Sequence, residues 1–210
     1  MRVSAPGKPK DPFSAALEAL RQRLADGRLV LGQPLTITDL ADELGLSATP
    51  IREALSRLAG EGLIEDRRGR GYFAPRLDVS DLAELYGLRR LYISEALAGR
   101  SRSKVDDLGD EDVARADPSE AIVRLLDRVV AQAGSRALFE AYRQVCDRLA
   151  PVIRAEAQVF LLPDELEGLQ AVVDDPEALG VMLASLHESR QARVGDLVRA
   201  MRAGANIASL

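Results

Sequence analysis

Arg52 stands one turn into a segment whose apolar residues, Ile51, Ala54, Leu55 and Leu58, recur at helical spacing. Its guanidinium lies opposite that stripe, where a planar fork of N–H donors can take the O6 and N7 edge of a guanine. Thr49, three residues earlier, offers a hydroxyl beside the open N–H groups of a helix start, which suits a phosphate. Further on, Arg67-Arg68-Gly69-Arg70 gathers guanidiniums on a glycine-hinged turn, fitted to a phosphate or minor-groove contact. Catalytic chemistry has no comparable footing. No Ser/His/Asp, Cys/His or phosphate-loop arrangement is present, and the chain reads as a non-enzyme. Cys146 is the single cysteine, which excludes an internal disulfide and a cysteine-cluster zinc site.

The elements around these residues are short and sharply punctuated. Phe13, Ala16, Leu17, Leu20 and Leu24 mark a first helix over 13–25. Thr36 is placed to cap a second, with Ile37, Leu40, Ala41 and Leu44 on its apolar side and Gly45 closing it. Ser47 is placed to cap a third, with Pro50 in the first turn, where a missing N–H costs little. Gly45 between them supplies the positive φ of a tight helix-turn-helix. Leu63-Ile64-Glu65 and Tyr72-Phe73 then flank the basic turn as a small hairpin. Arg57 reads as a solvated helix charge and Glu53 as a structural residue paired with a nearby arginine.

The remainder is helical. Leu82, Leu85, Arg89, Tyr92 and Ala96 share one face, 103–118 is acidic and poorly periodic, and Ile122 to Val130 mark another helix. The run from Leu138 to Phe160 is the most periodic, and Pro151 should kink or split it. Leu166–Val173 and Leu179–Met201 supply the last two helices. The fold class is mainly α: a winged helix-turn-helix of three helices and a β-hairpin, then an antiparallel helical bundle. The expected boundaries are a flexible arm at 1–12, the winged helix at 13–75, a linker at 76–79, the helical domain at 80–204 and a tail at 205–210.

Of the 210 residues, 47% are apolar, and the net charge is −5. The charge is unevenly spread: residues 1–76 carry a net +2 and residues 77–210 a net −7. Phosphate binding depends on local basic surface, so the split permits nucleic-acid binding by the first part. No signal segment opens the chain and no apolar run reaches membrane-spanning length, which reads as a cytoplasmic protein without a membrane partner.

The stretch Leu40-Ala41-Asp42-Glu43-Leu44-Gly45-Leu46-Ser47-Ala48-Thr49-Pro50-Ile51-Arg52-Glu53-Ala54-Leu55, followed by Glu61-Gly62-Leu63-Ile64 and Arg68-Gly69, resembles the GntR-type transcription regulators. The resemblance runs from about Phe13 to Ala74. It implies that Ser47, Thr49 and Arg52 fall on operator-contact positions and that Arg68 and Gly69 form the wing contact. Thr38 and Ala48 stand where many relatives carry arginine, so contacts made there by the relatives would be missing. Asp81 to Leu91 resembles the first helix of the effector domain in the FadR-like branch.

Many members of that branch hold a metal with one Asp and three His. This chain has His187 alone, so the usual site cannot form. Alignment sets Val123 at the relatives' Asp, Asp127 at their first His, Asp164 or Glu165 at the second, and His187 at or beside the third. Asp127 and His187 also lie among apolar neighbours at i±3 and i±4, as groups facing a cavity do. Asp127, Asp164 and His187 could hold a hard or borderline divalent ion. Alternatively, Arg89, His187 and Arg190 bind an anionic metabolite, or pair with Asp127 inside the bundle.

The expected function is sequence-specific regulation, as a repressor, through double-stranded operator DNA, by a homodimer under small-molecule effector control. No cofactor is fixed by the sequence, and a divalent metal is the one candidate. The alternative is a ligand-independent DNA-bound regulator or a partner-binding module.

Overall fold

The computed structural model describes residues 11–29, 31–99 and 117–207. The chain divides into two compact units, Met1–Arg76 and Leu77–Leu210.

In the first unit, α1 spans Pro12–Ala25, β1 Pro34–Leu35, α2 Ile37–Leu44, α3 Ala48–Gly60, β2 Glu65–Arg67 and β3 Gly71–Phe73. Helix α1 begins inside the stretch read as an arm. Asp11 caps it by accepting from the Ser14 N–H at 3.0 Å, and Pro12 takes the first helical position. Ala16, Leu20 and Leu24 of α1 meet Ile51, Ala54, Leu55 and Leu58 of α3 in one core. Gly45 ends α2 at φ +64°, with Leu46 N–H bonded to Ala41 C=O at 3.0 Å. This is the left-handed cap that glycine makes at no steric cost.

The sheet has three antiparallel strands in the order β1-β3-β2. The sequence expectation contained the hairpin but not β1. Two residues are too short to show alternation, and β1 exists only because Pro34 and Leu35 lie against Phe73 and Tyr72. The first hairpin strand also lies further along than expected. Leu63 and Ile64 are buried in the core shared with α1 and α3, and pairing starts at Glu65.

The second unit is helical throughout its described part: α4 Val79–Gly99, α5 Pro118–Ala131, α6 Arg136–Glu156, α7 Leu162–Val172, α8 Pro176–Ala192 and α9 Val194–Ile207. Asp78 and Asp81 cap α4 reciprocally, each carboxylate taking the other's backbone N–H. Asp117 and Asp175 cap α5 and α8, each followed by proline at the first helical position. Most of the acidic 103–118 stretch lies outside the described residues. Pro151 does not split α6, which runs through it. The expected single helix over 179–201 is instead two. At Arg193 the backbone leaves helical geometry, while its side chain donates to the Val159 carbonyl at 2.7 Å and to Asp196. Ile93, Leu125, Val129, Tyr142, Leu169, Leu179 and Leu183 fill the core of this unit.

Candidate nucleic-acid interface and a buried polar cluster

Helix α3 turns two different faces outward and inward. Pro50, Ile51, Ala54, Leu55 and Leu58 are buried, whereas Ser47, Thr49, Arg52, Glu53 and Ser56 are exposed. Ser47 occupies the cap position in extended geometry, yet its hydroxyl makes no capping bond, and Thr36 does the same at α2. Both hydroxyls therefore stay available to an outside acceptor. Arg52 forms no hydrogen bond or ion pair with any described residue. Glu53 likewise pairs with no described arginine, against expectation. It is Glu61 that ties the unit together, bonded to Arg57 at 2.7 Å and to Arg21 of α1. Thr38 and Ala48 are exposed, with Thr38 reaching only Asp39.

The β2–β3 turn separates arginines that the sequence grouped together. Arg67 is drawn back onto the sheet: its Nε and Nη2 donate to Glu65 at 2.8 and 2.6 Å, and its guanidinium sits 4.0 Å from the centre of the Phe73 ring. Its hydrogen bond holds the Glu65 carboxyl below the usual carboxylate range. Arg68, Gly69 and Arg70 project at the tip, exposed, with Gly69 at φ +71°. Neither Arg68 nor Arg70 has a side-chain partner among the described residues.

In the helical unit Arg89, His187 and Arg190 do come together, and they are buried. Arg190 donates to Glu156 through Nε and Nη2 at 2.9 and 2.7 Å, to Glu165 at 2.7 and 3.3 Å, and to the Leu186 carbonyl. Its guanidinium also lies 4.7 Å from the Phe160 ring centre. These two carboxylates hold its charge despite the burial. Glu156 is 5% exposed and takes a further bond from the Tyr86 hydroxyl at 2.7 Å. Burial, together with the Glu156 charge, raises the Tyr86 pKa well above its ordinary value. Arg89 donates from Nε to His187 Nε2 at 3.0 Å. The Nδ1–H of His187 donates to the Leu183 carbonyl at 2.7 Å, which fixes the tautomer. Burial first, and the Arg89 charge second, push the imidazole pKa down to about 3, so the ring is neutral.

The expected partners Asp127 and Asp164 are not in this cluster. Asp127 pairs with Arg143 of α6, and burial raises its carboxyl pKa against that pairing. Asp164 lies exposed in the first turn of α7, one residue from the Glu165 that faces inward. Among the described residues no group of three potential metal ligands forms. The donor set does not fit the family's metal, because both nitrogens of the one histidine are committed to other bonds. Glu156 was missed by sequence reading. It follows Ala155 at the end of an amphipathic helix, and nothing local separates it from a solvated charge.

Comparison with known proteins agrees with this division of the chain. Residues 13–73 match the family "Bacterial regulatory proteins, gntR family". The "Probable D-xylose utilization operon transcriptional repressor" of Paenarthrobacter nicotinovorans is 34% identical over 139 residues, 66% of this chain and 57% of that protein. The Nta operon transcriptional regulator of Aminobacter aminovorans is 41% identical over 58 residues, 28% of each chain. The chain thus aligns with little more than half of the first relative's length and less of the second's. Among solved structures, a GntR transcriptional regulator from Rhodococcus sp. RHA1 superposes with a TM-score of 0.71 at 22% identity, covering 87% of this chain and 96% of that one. E. coli McbR/YncC does so with a TM-score of 0.62 at 20% identity, covering 88% and 97%. These two likenesses extend over the helical unit as well and show the fold alone: a winged helix first and a helical bundle second. Residues 13–73 thus carry a DNA-binding domain of the GntR family of bacterial regulatory proteins.

Proposed function

We propose that the protein is a cytoplasmic transcription regulator, a repressor, that binds double-stranded operator DNA as a homodimer and is released or retained by a small-molecule effector. The observation that carries the DNA reading is the outward face of α3, where Ser47, Thr49 and Arg52 are exposed and Arg52 is held by no described residue. A helix placed in the major groove presents such N-terminal residues to base edges and phosphates. Arg68 and Arg70, with Gly69 between them, reach the flanking backbone or minor groove. One winged helix reads a half-site, so two-fold pairing of protomers doubles the contact set.

The effector reading rests on the polar interior of the helical unit, built around Arg89, His187 and Arg190. Asp127 borders it without joining it. A second reading is favoured by one observation: Glu156, Glu165 and the Leu186 carbonyl together take the Arg190 donors, as a scaffold would require without any ligand. No helix among the described residues is long and apolar enough to cross a membrane. The deciding experiment is fluorescence anisotropy with DNA from upstream of the protein's own gene, against random DNA of equal length, with light scattering for oligomeric state. Saturable, sequence-dependent binding by a dimer supports the regulator. Equal affinity for both DNAs overturns it.

A further inference from the structure

Glu65 opens strand β2, and its two carboxylate oxygens serve different parts of the first unit. Oε2 accepts from both Nε and Nη2 of Arg67, at 2.8 and 2.6 Å. Oε1 accepts from the backbone N–H of Arg76, eleven residues on, at 3.2 Å. On the wing side, the tip turn closes on the arginine so held, since the Arg70 N–H donates to the Arg67 carbonyl at 2.7 Å. On the other side, Arg76 ends the first unit two residues before Asp78, whose carboxylate caps α4. Ala74 is fixed independently: its N–H donates to the Gln33 carbonyl at 2.9 Å, and its carbonyl accepts from Gly32 at 3.1 Å. Pro75 has no N–H to give, so Glu65 supplies the next such bond along the chain. The Arg76 side chain lies close over Gly32, where a β-carbon would come within 3.0 Å of its Nε.

We propose that Glu65 is a positioning residue that couples the wing to the chain entering the helical unit: Arg67 and the Arg76 N–H engage one carboxylate together, so DNA held by Arg68 and Arg70 also fixes Arg76. This rests on the DNA reading above and goes beyond it, by giving a route from the wing to the start of α4. The two bonds support each other. Arg67 sets the rotamer of the carboxylate and leaves Oε1 aimed at Arg76; losing either donor returns that freedom and weakens the other bond. The pair is also able to open, because Arg67 and Glu65 keep 24% and 38% of their side chains exposed and no deeply buried charge is stranded. As an anion, Glu65 is unsuited to phosphate and acts through Arg67. Coupling of this kind is reciprocal: loosening Arg76 weakens the hold on DNA by the same factor.

The test follows hydrogen exchange at single amides of the full chain, free and bound to DNA from upstream of its own gene. The Arg76 amide is compared with that of Ala74, which is held without Glu65. DNA should slow exchange at Arg76 about fivefold more than at Ala74. Glu65→Gln keeps an acceptor for Arg76 but loses the charge that grips Arg67; in this variant the two amides should slow equally. Arg67→Ala cuts the route on the wing side and should do the same, and it decides the matter if Glu65→Gln fails to fold. In the reverse direction, Arg76→Pro deletes the N–H donor. It should bind DNA about fivefold more weakly than Arg76→Gln, which drops the charge and keeps the N–H. Equal slowing of both amides in the wild-type chain overturns the proposal. So does extra protection of Arg76 that survives in both variants, or equal DNA affinity of Arg76→Pro and Arg76→Gln. If the wild-type chain binds DNA in a sequence-dependent way while Arg76 merely follows Ala74, this inference alone falls. If it shows no such binding, the regulator reading falls as well.

Discussion

The Nε–H of Arg89 donates to Nε2 of His187 at 3.0 Å, joining α4 to α8 through an imidazole that stays uncharged. Two buried bases in contact would ordinarily repel, and here the histidine yields its proton so that the arginine keeps its own. The arrangement has a signature in acid. The folded-state pKa of about 3 lies below the 6.5 of a free imidazole, so the unfolded chain protonates first as pH falls. Stability from this source is complete above about pH 6.5 and is lost progressively toward pH 3, at about 1.4 kcal/mol per pH unit within that window. Carboxylates add their own acid loss only lower down, so urea unfolding between about pH 6.5 and 5 isolates the histidine. His187→Gln should flatten the slope there. An unchanged slope would place the ring in water.

Glu156 draws Tyr86, Arg89 and Arg190 toward one carboxylate. Removing one member of a buried ion pair leaves the other charge uncompensated, so Glu156→Ala should cost about 3–5 kcal/mol. Circular dichroism during urea unfolding measures it. A loss below about 1 kcal/mol would mean that water replaces the carboxylate, as at a surface pair.

Arg52 is exposed on α3 with its donors open, which suits the bidentate guanine contact proposed for it. Arg52→Ala should lose roughly 1–3 kcal/mol of operator affinity and relax discrimination at one base pair. Equal losses on operator and random DNA would assign it to the phosphate backbone.

The wing arginines should divide in the same assay. Arg68→Ala and Arg70→Ala should each reduce the salt slope of DNA binding by about one unit. Arg67→Ala should leave the slope nearly unchanged and lower the stability of the first unit, because its guanidinium is held by Glu65 and Phe73. A full unit of slope lost at Arg67 would show that it releases Glu65 to reach DNA.

How far the sequence discloses this molecule depends on the range of the forces involved. Helices α1 to α3 are readable because caps, apolar spacing and Gly45 are all local, and each agrees with the others. The exposed face of α3 follows from the same periodicity. What escapes is contact between distant segments. β1 is defined by a partner some forty residues on, Arg67 is turned inward by Phe73, and Arg190 finds Glu156 on another helix. The break at Arg193 has the same origin, since Val159 that receives its side chain is remote in sequence. Asp127 was placed beside His187 by alignment and periodicity. Periodicity groups Asp127 with apolar neighbours, but which side chain meets it is decided by Arg143 of α6.

The three-stranded sheet anchors the wing on both sides, with β1 and β2 flanking β3, and Arg67 locked against its face. Beyond that anchorage, the side chains of Arg68 and Arg70 contact no partner among the described residues. A β-carbon added at Gly69 would meet no atom within 4 Å, although its positive φ still favours glycine. The tip is thus an exchangeable part: lineages can drift through different residues at 68 and 70 while the scaffold stays intact. If the proposed wing contact holds, the flanks of the bound DNA can be read differently by a changed tip without a compensating change in the sheet.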